Sequence, residues 1–291
     1  MALCNARFAL VVGLSFFSVA SCASTPAVQC PQDAKLANLL AGSAMVIVGK
    51  LDVPKQSLVD ESQKSSPQYV DIPIQTESAL KGGSNNIGRV HYYPKNTANQ
   101  LTIREVIDAA GMRSILFLTQ VGDDLYFAGG TPNALKPATD STLTATRAEV
   151  SRQEQIIGLS NAGSRLAHYA EVRSLIARLG RVRDGEQQQV FDRLEALGNE
   201  AVPAIIAEMD DRRPLRTRAI SLVNHSPDAF EGVRHYGPEQ VVDGLHAVLN
   251  QITGEYFGSI ENGGSSQQRD ATVAGWRVYA ADLRCTTVKR R

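Results

Sequence analysis

The chain of 291 residues is poor in several features that mark common functions. Its 30 basic and 30 acidic side chains cancel, so it lacks the basic excess of a dedicated nucleic-acid binder. Aromatic residues are only 6% of it, with a single tryptophan. Neither HExxH nor a paired Cys/His spacing occurs among its five histidines and four cysteines, so no metal or cofactor is implied. The stretch 83–90 (GSNNIGRV) has arginine where a phosphate-binding loop needs lysine and valine where it needs a hydroxyl. The stretch 158–163 (GLSNAG) places its second glycine one residue too late for a nucleophile elbow. What remains is ordinary globular composition, 43% apolar and 21% charged, which excludes a wholly disordered chain and a multi-spanning membrane protein. The length favours two domains over one.

The N-terminus sets the compartment. Arg7 precedes an apolar run over residues 8–20, too short to span a bilayer comfortably and right for a signal-peptide core. Residues 1–21 are therefore expected to be removed. Val19-Ala20-Ser21-Cys22 resembles the bacterial lipobox, in which the cysteine becomes a lipidated N-terminus. The resemblance implies membrane attachment through Cys22, since several acyl chains at about 0.8 kcal/mol per buried methylene give stable anchoring. Ala23 after the cysteine resembles lipoproteins sorted to the outer membrane and facing the periplasm. The other reading is cleavage at Ala20 or Ala23 and a soluble periplasmic or secreted protein. Cys4 leaves with the signal, so with Cys22 lipidated only Cys30 and Cys285 remain to form a disulfide in an oxidising compartment. Two free thiols are the alternative.

The mature chain reads as α+β, a small N-terminal antiparallel β-barrel followed by an all-α domain. Residues 22–40 read as a tether and 41–130 as the barrel. The run 44–53 (AMVIVGKLDV) is rich in β-branched residues and predicts a strand, and 56–68 reads as a mobile polar loop. In 69–80, Val70, Ile72 and Ile74 alternate with Asp71, Pro73 and Gln75, which predicts a half-buried strand at an edge or bulge because of Pro73. A short strand follows at 89–93, a helix at 102–110, and a hairpin around Val121-Gly122-Asp123. The Pro/Thr-rich stretch 131–145 reads as a linker. Helices are predicted at 147–159, 165–179, 187–197, 200–209, 215–223, 238–252 and 266–283, making a domain over 146–285, with a basic tail at 286–291.

Two further resemblances bear on function. Ala44-Met45-Val46-Ile47-Val48-Gly49-Lys50, Leu80-Lys81-Gly82 and residues 110–118 (AGMRSILFL) resemble the OB-type barrel of tissue-inhibitor-of-metalloprotease and netrin-like modules. That family inhibits through the free amine and carbonyl of a mature N-terminal cysteine. Cys22 holds the corresponding position, but lipid processing acylates that amine, so binding is expected at barrel loops or the barrel face. Residues 194–206 (LEALGNEAVPAII) resemble a HEAT-like helical repeat, with Gly198 ending one helix and Pro203 in the first turn of the next. Leu249, Ile252-Thr253-Gly254, Phe257-Gly258 and Trp276 are similar to the ending of bacterial HEAT-like envelope proteins. Such repeats bind other proteins.

The densest polar segment of the helical half is 224–237 (NHSPDAFEGVRHYG). His225, Asp228, Glu231 and His235 there could supply acid–base groups or ligands, or Ser226 and Asp228 could simply cap helices. As a long loop on a rigid scaffold it is the expected partner surface, with His225, Asp228, Glu231, Arg234, His235 and Tyr236 as contacts. No residue is assigned a catalytic role. The sequence thus predicts a non-enzymatic exported lipoprotein that binds an envelope protein. The alternatives are inhibition of an envelope protease or wall hydrolase by the barrel, and a hydrolase using 224–237.

Overall fold

The computed structural model describes residues 29–83, 87–94, 101–128, 133–158, 165–225 and 231–288. Cys4, the signal segment, Cys22, Asp228 and the tail from 289 onward lie outside the described residues.

A closed five-stranded barrel forms from β1 (Met45–Leu51), β2 (Val70–Lys81), β3 (Arg89–Tyr92), β4 (Arg113–Val121) and β5 (Asp124–Phe127). The strand order is β1-β2-β3-β5-β4, and β1 also pairs with β4, which closes the ring. Four of its pairings are antiparallel; β3 and β5 meet in parallel at His91 and Tyr126. The barrel is therefore not purely antiparallel. Pro73 lies at neither a sheet edge nor a bulge but where β2 changes neighbours, since residues 70–73 pair with β3 and 74–81 with β1. Gly49 lies where β1 presses on β2: a Cβ there would stand 2.7 Å from the Gln75 carbonyl oxygen.

Two apolar clusters explain why β1 and β4 read as unbroken apolar runs. Ile47, Leu51, Leu116 and Leu118 point into the barrel with Ile72 and Val90. Val46, Val48, Ile115 and Phe117 point out and are covered by α1 (Ala34–Ala41) and α4 (Asp140–Ile157) through Leu36, Leu39, Leu40, Leu143 and Val150. Strands buried on both faces lose the polar/apolar alternation. β2, by contrast, keeps it: Val70, Ile72 and Ile74 are buried while Asp71, Pro73 and Gln75 are exposed.

Several expectations are corrected here. The supposed tether contains α1, capped by Asp33, whose carboxylate accepts from the Lys35 and Leu36 amides at 2.9 and 3.2 Å. The supposed mobile loop contains α2 (Lys55–Ser62), held by the buried Leu58. The helix expected at 102–110, by contrast, is present as α3 (Ile103–Asp108), started by a capping box between Thr102 and Glu105. The supposed linker supplies β6 (Leu135–Pro137), paired to β4, and the first turn of α4.

The second half comprises α4, α5 (Tyr169–Arg178), α6 (Asp184–Ala196), a short 3-10 turn (Gly198–Ala201) and α7 (Val202–Ala207), then α8 (Val241–Thr253) and α9 (Ser266–Val288). It is not all-α. The segment predicted as a helix at 215–223 instead supplies β7 (Ile220–Val223), paired antiparallel with β8 (Val233–Tyr236). Ile220 and Leu222 alternate inward, and the ladder bonds come from residues that follow much later in the chain. Pro238 is not the first residue of a helix. α8 starts at Val241, where the Asp243 carboxylate accepts from the Glu239 and Gln240 amides at 3.0 and 2.9 Å.

Contacts tie the two halves together. Cys30 and Cys285 form a disulfide with Cα atoms 5.7 Å apart, joining the start of the described chain to α9. Beside it, Arg152 donates to Glu149 and Asp282 at 2.7–3.0 Å and to the Gln29 carbonyl at 3.1 Å. Gly275 lets α9 approach α1, because a Cβ there would stand 2.7 Å from the Ala41 carbonyl oxygen. Among the described residues no helix is long and apolar enough to cross a membrane.

Candidate functional site

Among the described residues, those expected to form a site in 224–237 do not converge on one another. His225 Nε2 lies 3.2 Å from Glu195 on α6, whose carboxyl is raised chiefly by burial. His235 Nδ1 pairs with the Ser221 hydroxyl at 2.8 Å across the β7–β8 ladder. Glu231 and Arg234 are exposed, and the Glu231 carbonyl accepts from the Asn224 amide side chain at 3.0 Å. Tyr236 is not a surface contact. Its ring is buried and its hydroxyl accepts from Gln251 at 2.7 Å. Among the described residues no group of three His, Cys, Asp or Glu side chains could hold a metal ion.

The sequence reading missed a different cluster, on the outside of the barrel. The alternation that buries Val70 and Ile72 turns Asp71 outward, and the same alternation in β3 turns Arg89 and His91 outward. The register places Asp71 opposite His91, and the parallel pairing places His91 opposite Tyr126. His91 Nδ1 is 2.6 Å from Asp71 Oδ1, and its Nε2 is 2.9 Å from Asp124 Oδ1. Arg89 adds a contact to Asp71 at 3.2 Å. The imidazole thus links β2, β3 and β5 and cannot swing. Each ring nitrogen has a carboxylate oxygen within hydrogen-bond distance.

Around this link stand three tyrosines. The Tyr69 ring lies 5.1 Å from that of Tyr93 and 5.3 Å, edge-on, from that of Tyr126. Tyr126 in turn lies 5.4 Å from His91. Tyr69 is 57% exposed, which is unusual for so large a ring held by two aromatic neighbours. The Tyr126 hydroxyl is raised, first by partial desolvation and then by Asp124, Tyr69 and Asp71, so it stays a neutral donor. Both carboxylates are about half exposed and keep lone pairs turned to solvent, Asp71 at 48% and Asp124 at 47%. The arrangement offers aromatic edges, hydroxyl donors and fixed acceptors, the mixture enriched at protein interfaces. It presents no nucleophile paired with a free base.

Compared with models of known protein families, with curated proteins and with solved structures, the chain matches none.

Proposed function

We propose that this chain is an exported, non-catalytic protein that binds another protein at the cell envelope through the outer face of β2, β3 and β5. Cys22 is its membrane anchor in this reading, and the outer membrane its destination. One observation carries the binding face. α1 and α4 cover the outside of β1 and β4, whereas Tyr69, 57% exposed among the described residues, stands with Tyr93, Tyr126 and the doubly bonded His91 on another part of the wall. Strand order and a helix between the third and fourth strands support an OB-type barrel, a fold that commonly binds ligands over its second and third strands. The pair α6–α7, with Gly198 at φ +65° between them and Pro203 in the first turn of α7, supports a single HEAT-like unit. The β7–β8 hairpin ends any stacking beyond it.

The test is site-specific photocrosslinking in intact cells. A crosslinker at Tyr69 should trap a discrete partner, one at Val223 on the far hairpin should not, and Tyr126→Ser should abolish the Tyr69 product. Equal products from both sites would defeat the assignment. Cys22→Ala should move the protein from the membrane to the soluble fraction; unchanged fractionation would defeat the anchor.

A further inference from the structure

The barrel and the helical half meet along a cleft of about 800 Å3. One wall is α1, contributing Lys35 and Asn38, and the other is the segment after α8, contributing Glu255, Tyr256 and Ser259; Thr119 of β4 lies between them. Its size suits a small organic ligand, and junctions of this kind are a usual place for one.

The charges inside it are unusual. Lys35 and Glu255 both line the cleft, yet they are not within ion-pair distance of each other, and neither side chain has an ion pair or hydrogen bond to any other residue of the described chain. Glu255 is half-buried, and its carboxyl is raised by desolvation alone, with no cation to offset it. Elsewhere in the molecule buried carboxylates are answered: Glu149 and Asp282 by Arg152, Asp243 by Arg269. A partly desolvated carboxylate without a cation favours a cationic group that can reach it. Tyr256 stands next to it in the same wall. Across the cleft the Lys35 ammonium is the complementary group for an anion, and Asn38, Thr119 and Ser259 can serve amides between the two ends.

We infer that this cleft is a binding site for a small zwitterion of the short-peptide class, its ammonium taken by Glu255 and its carboxylate by Lys35. The inference is independent of the barrel face.

Titration calorimetry of the full-length protein with trialanine tests it, alongside N-acetyl-trialanine and trialanine amide. Saturable binding of trialanine is expected, weakened about tenfold or more by blocking either terminus. In Glu255→Gln, acetylation should no longer matter while amidation still does. In Lys35→Gln the pattern should reverse. If Glu255→Gln fails to fold, Lys35→Gln and the blocked peptides on the unaltered protein still decide. No saturable heat at millimolar peptide, or equal binding of free and blocked peptides, overturns the inference.

Discussion

Trp276 donates its indole N–H to Nδ1 of His246 at 2.9 Å, and both side chains are fully buried. An indole nitrogen can only donate, so Nδ1 is an acceptor and the neutral ring carries its proton on Nε2. Nε2 faces the side-chain amide of Asn250 at 3.2 Å and Glu261 Oε2 at 3.5 Å. An Nε2–H needs an acceptor: the Glu261 carboxylate supplies one, and the Asn250 amide supplies another when its oxygen is turned to the ring, the two oxygens here that otherwise have no partner. The Glu261 carboxyl, burial notwithstanding, is held below its ordinary value by its contacts with His246 and Tyr256. This chain of polar groups pins α8 to α9 and to the segment between them.

Replacing Trp276 with Phe should therefore cost more than the lost ring area. The variant leaves a buried imidazole acceptor unmade, a penalty of about 1–3 kcal/mol added to the cavity. Denaturant unfolding followed by circular dichroism is the measurement, because Trp276 is the chain's one tryptophan and its fluorescence disappears with it. In a His246→Leu background the hydrogen-bond part of the loss should vanish. Strict additivity of the two substitutions would show that the bond contributes nothing.

The Cys30–Cys285 bridge closes a loop with a sequence separation of 255 residues. Chain entropy alone sets an upper bound of about 5.5 kcal/mol for so long a loop. Arg152 already binds Asp282 and the Gln29 carbonyl beside it, so the same two segments stay associated without the bridge. The double Ser variant should lose about 2–3 kcal/mol, toward the low end of the usual range. Its unfolding midpoint should be indifferent to reductant, whereas that of the unaltered protein should fall.

How much of this was legible in the sequence depends on how local each determinant is. The first strand showed itself because Val46, Ile47 and Val48 form a β-branched or apolar run, and α3 because apolar residues at 103, 106, 107 and 110 recur at helical spacing. The helix α1 was hidden, because Leu36, Leu39 and Leu40 have something to bury against only once Val46 and Phe117 form the outer wall of a closed barrel. β7 was hidden likewise: apolar residues at 215, 220, 222 and 223 fit a helix until residues 233–236 arrive as a partner strand. The tyrosine cluster depends on the parallel β3–β5 pairing, which brings residue 126 beside 91 and 69; no local spacing announces it. Tyr236 misled for the opposite reason, since its loop is polar while its own position points into the core.

Asp243 and Arg269 form a buried pair that also starts α8. Arg269 Nε and Nη2 reach the Asp243 carboxylate at 2.7 and 2.9 Å, and Asp243 has no exposed surface. Asp243→Ala leaves a guanidinium that is 5% exposed with Glu239, at 3.2 Å, as its remaining carboxylate, and removes the cap on the Glu239 and Gln240 amides. A loss of about 3–5 kcal/mol is expected. The double change Asp243→Leu with Arg269→Met should recover part of it by removing both charges. Failure of the double variant to improve on the single one would mean that the helix cap, not the broken ion pair, dominates.

Lys81 gives the stability a dependence on alkaline pH. Its ammonium end lies against α1 and donates to the Leu40 carbonyl, and desolvation lowers its pKa to about 8 from an ordinary value of 10.5. Between those two values the unfolded chain still holds the proton while the folded chain has shed it. More protons bound in the unfolded state means that stability rises with pH. Below pH 8 both states are charged and the contribution is constant; above 10.5 both are neutral and it is constant again. Lys81→Met keeps the aliphatic stem and removes the titration. The stability difference, unaltered protein minus variant, should therefore climb through this window, by at most about 1.4 kcal/mol for each pH unit. Urea unfolding of both proteins at half-unit steps from pH 7 to 10.5 measures it, each pair at matched pH so that other titrations cancel. A difference that stays flat, or falls, means that the ammonium is solvated and that its bond to Leu40 carries no burial penalty.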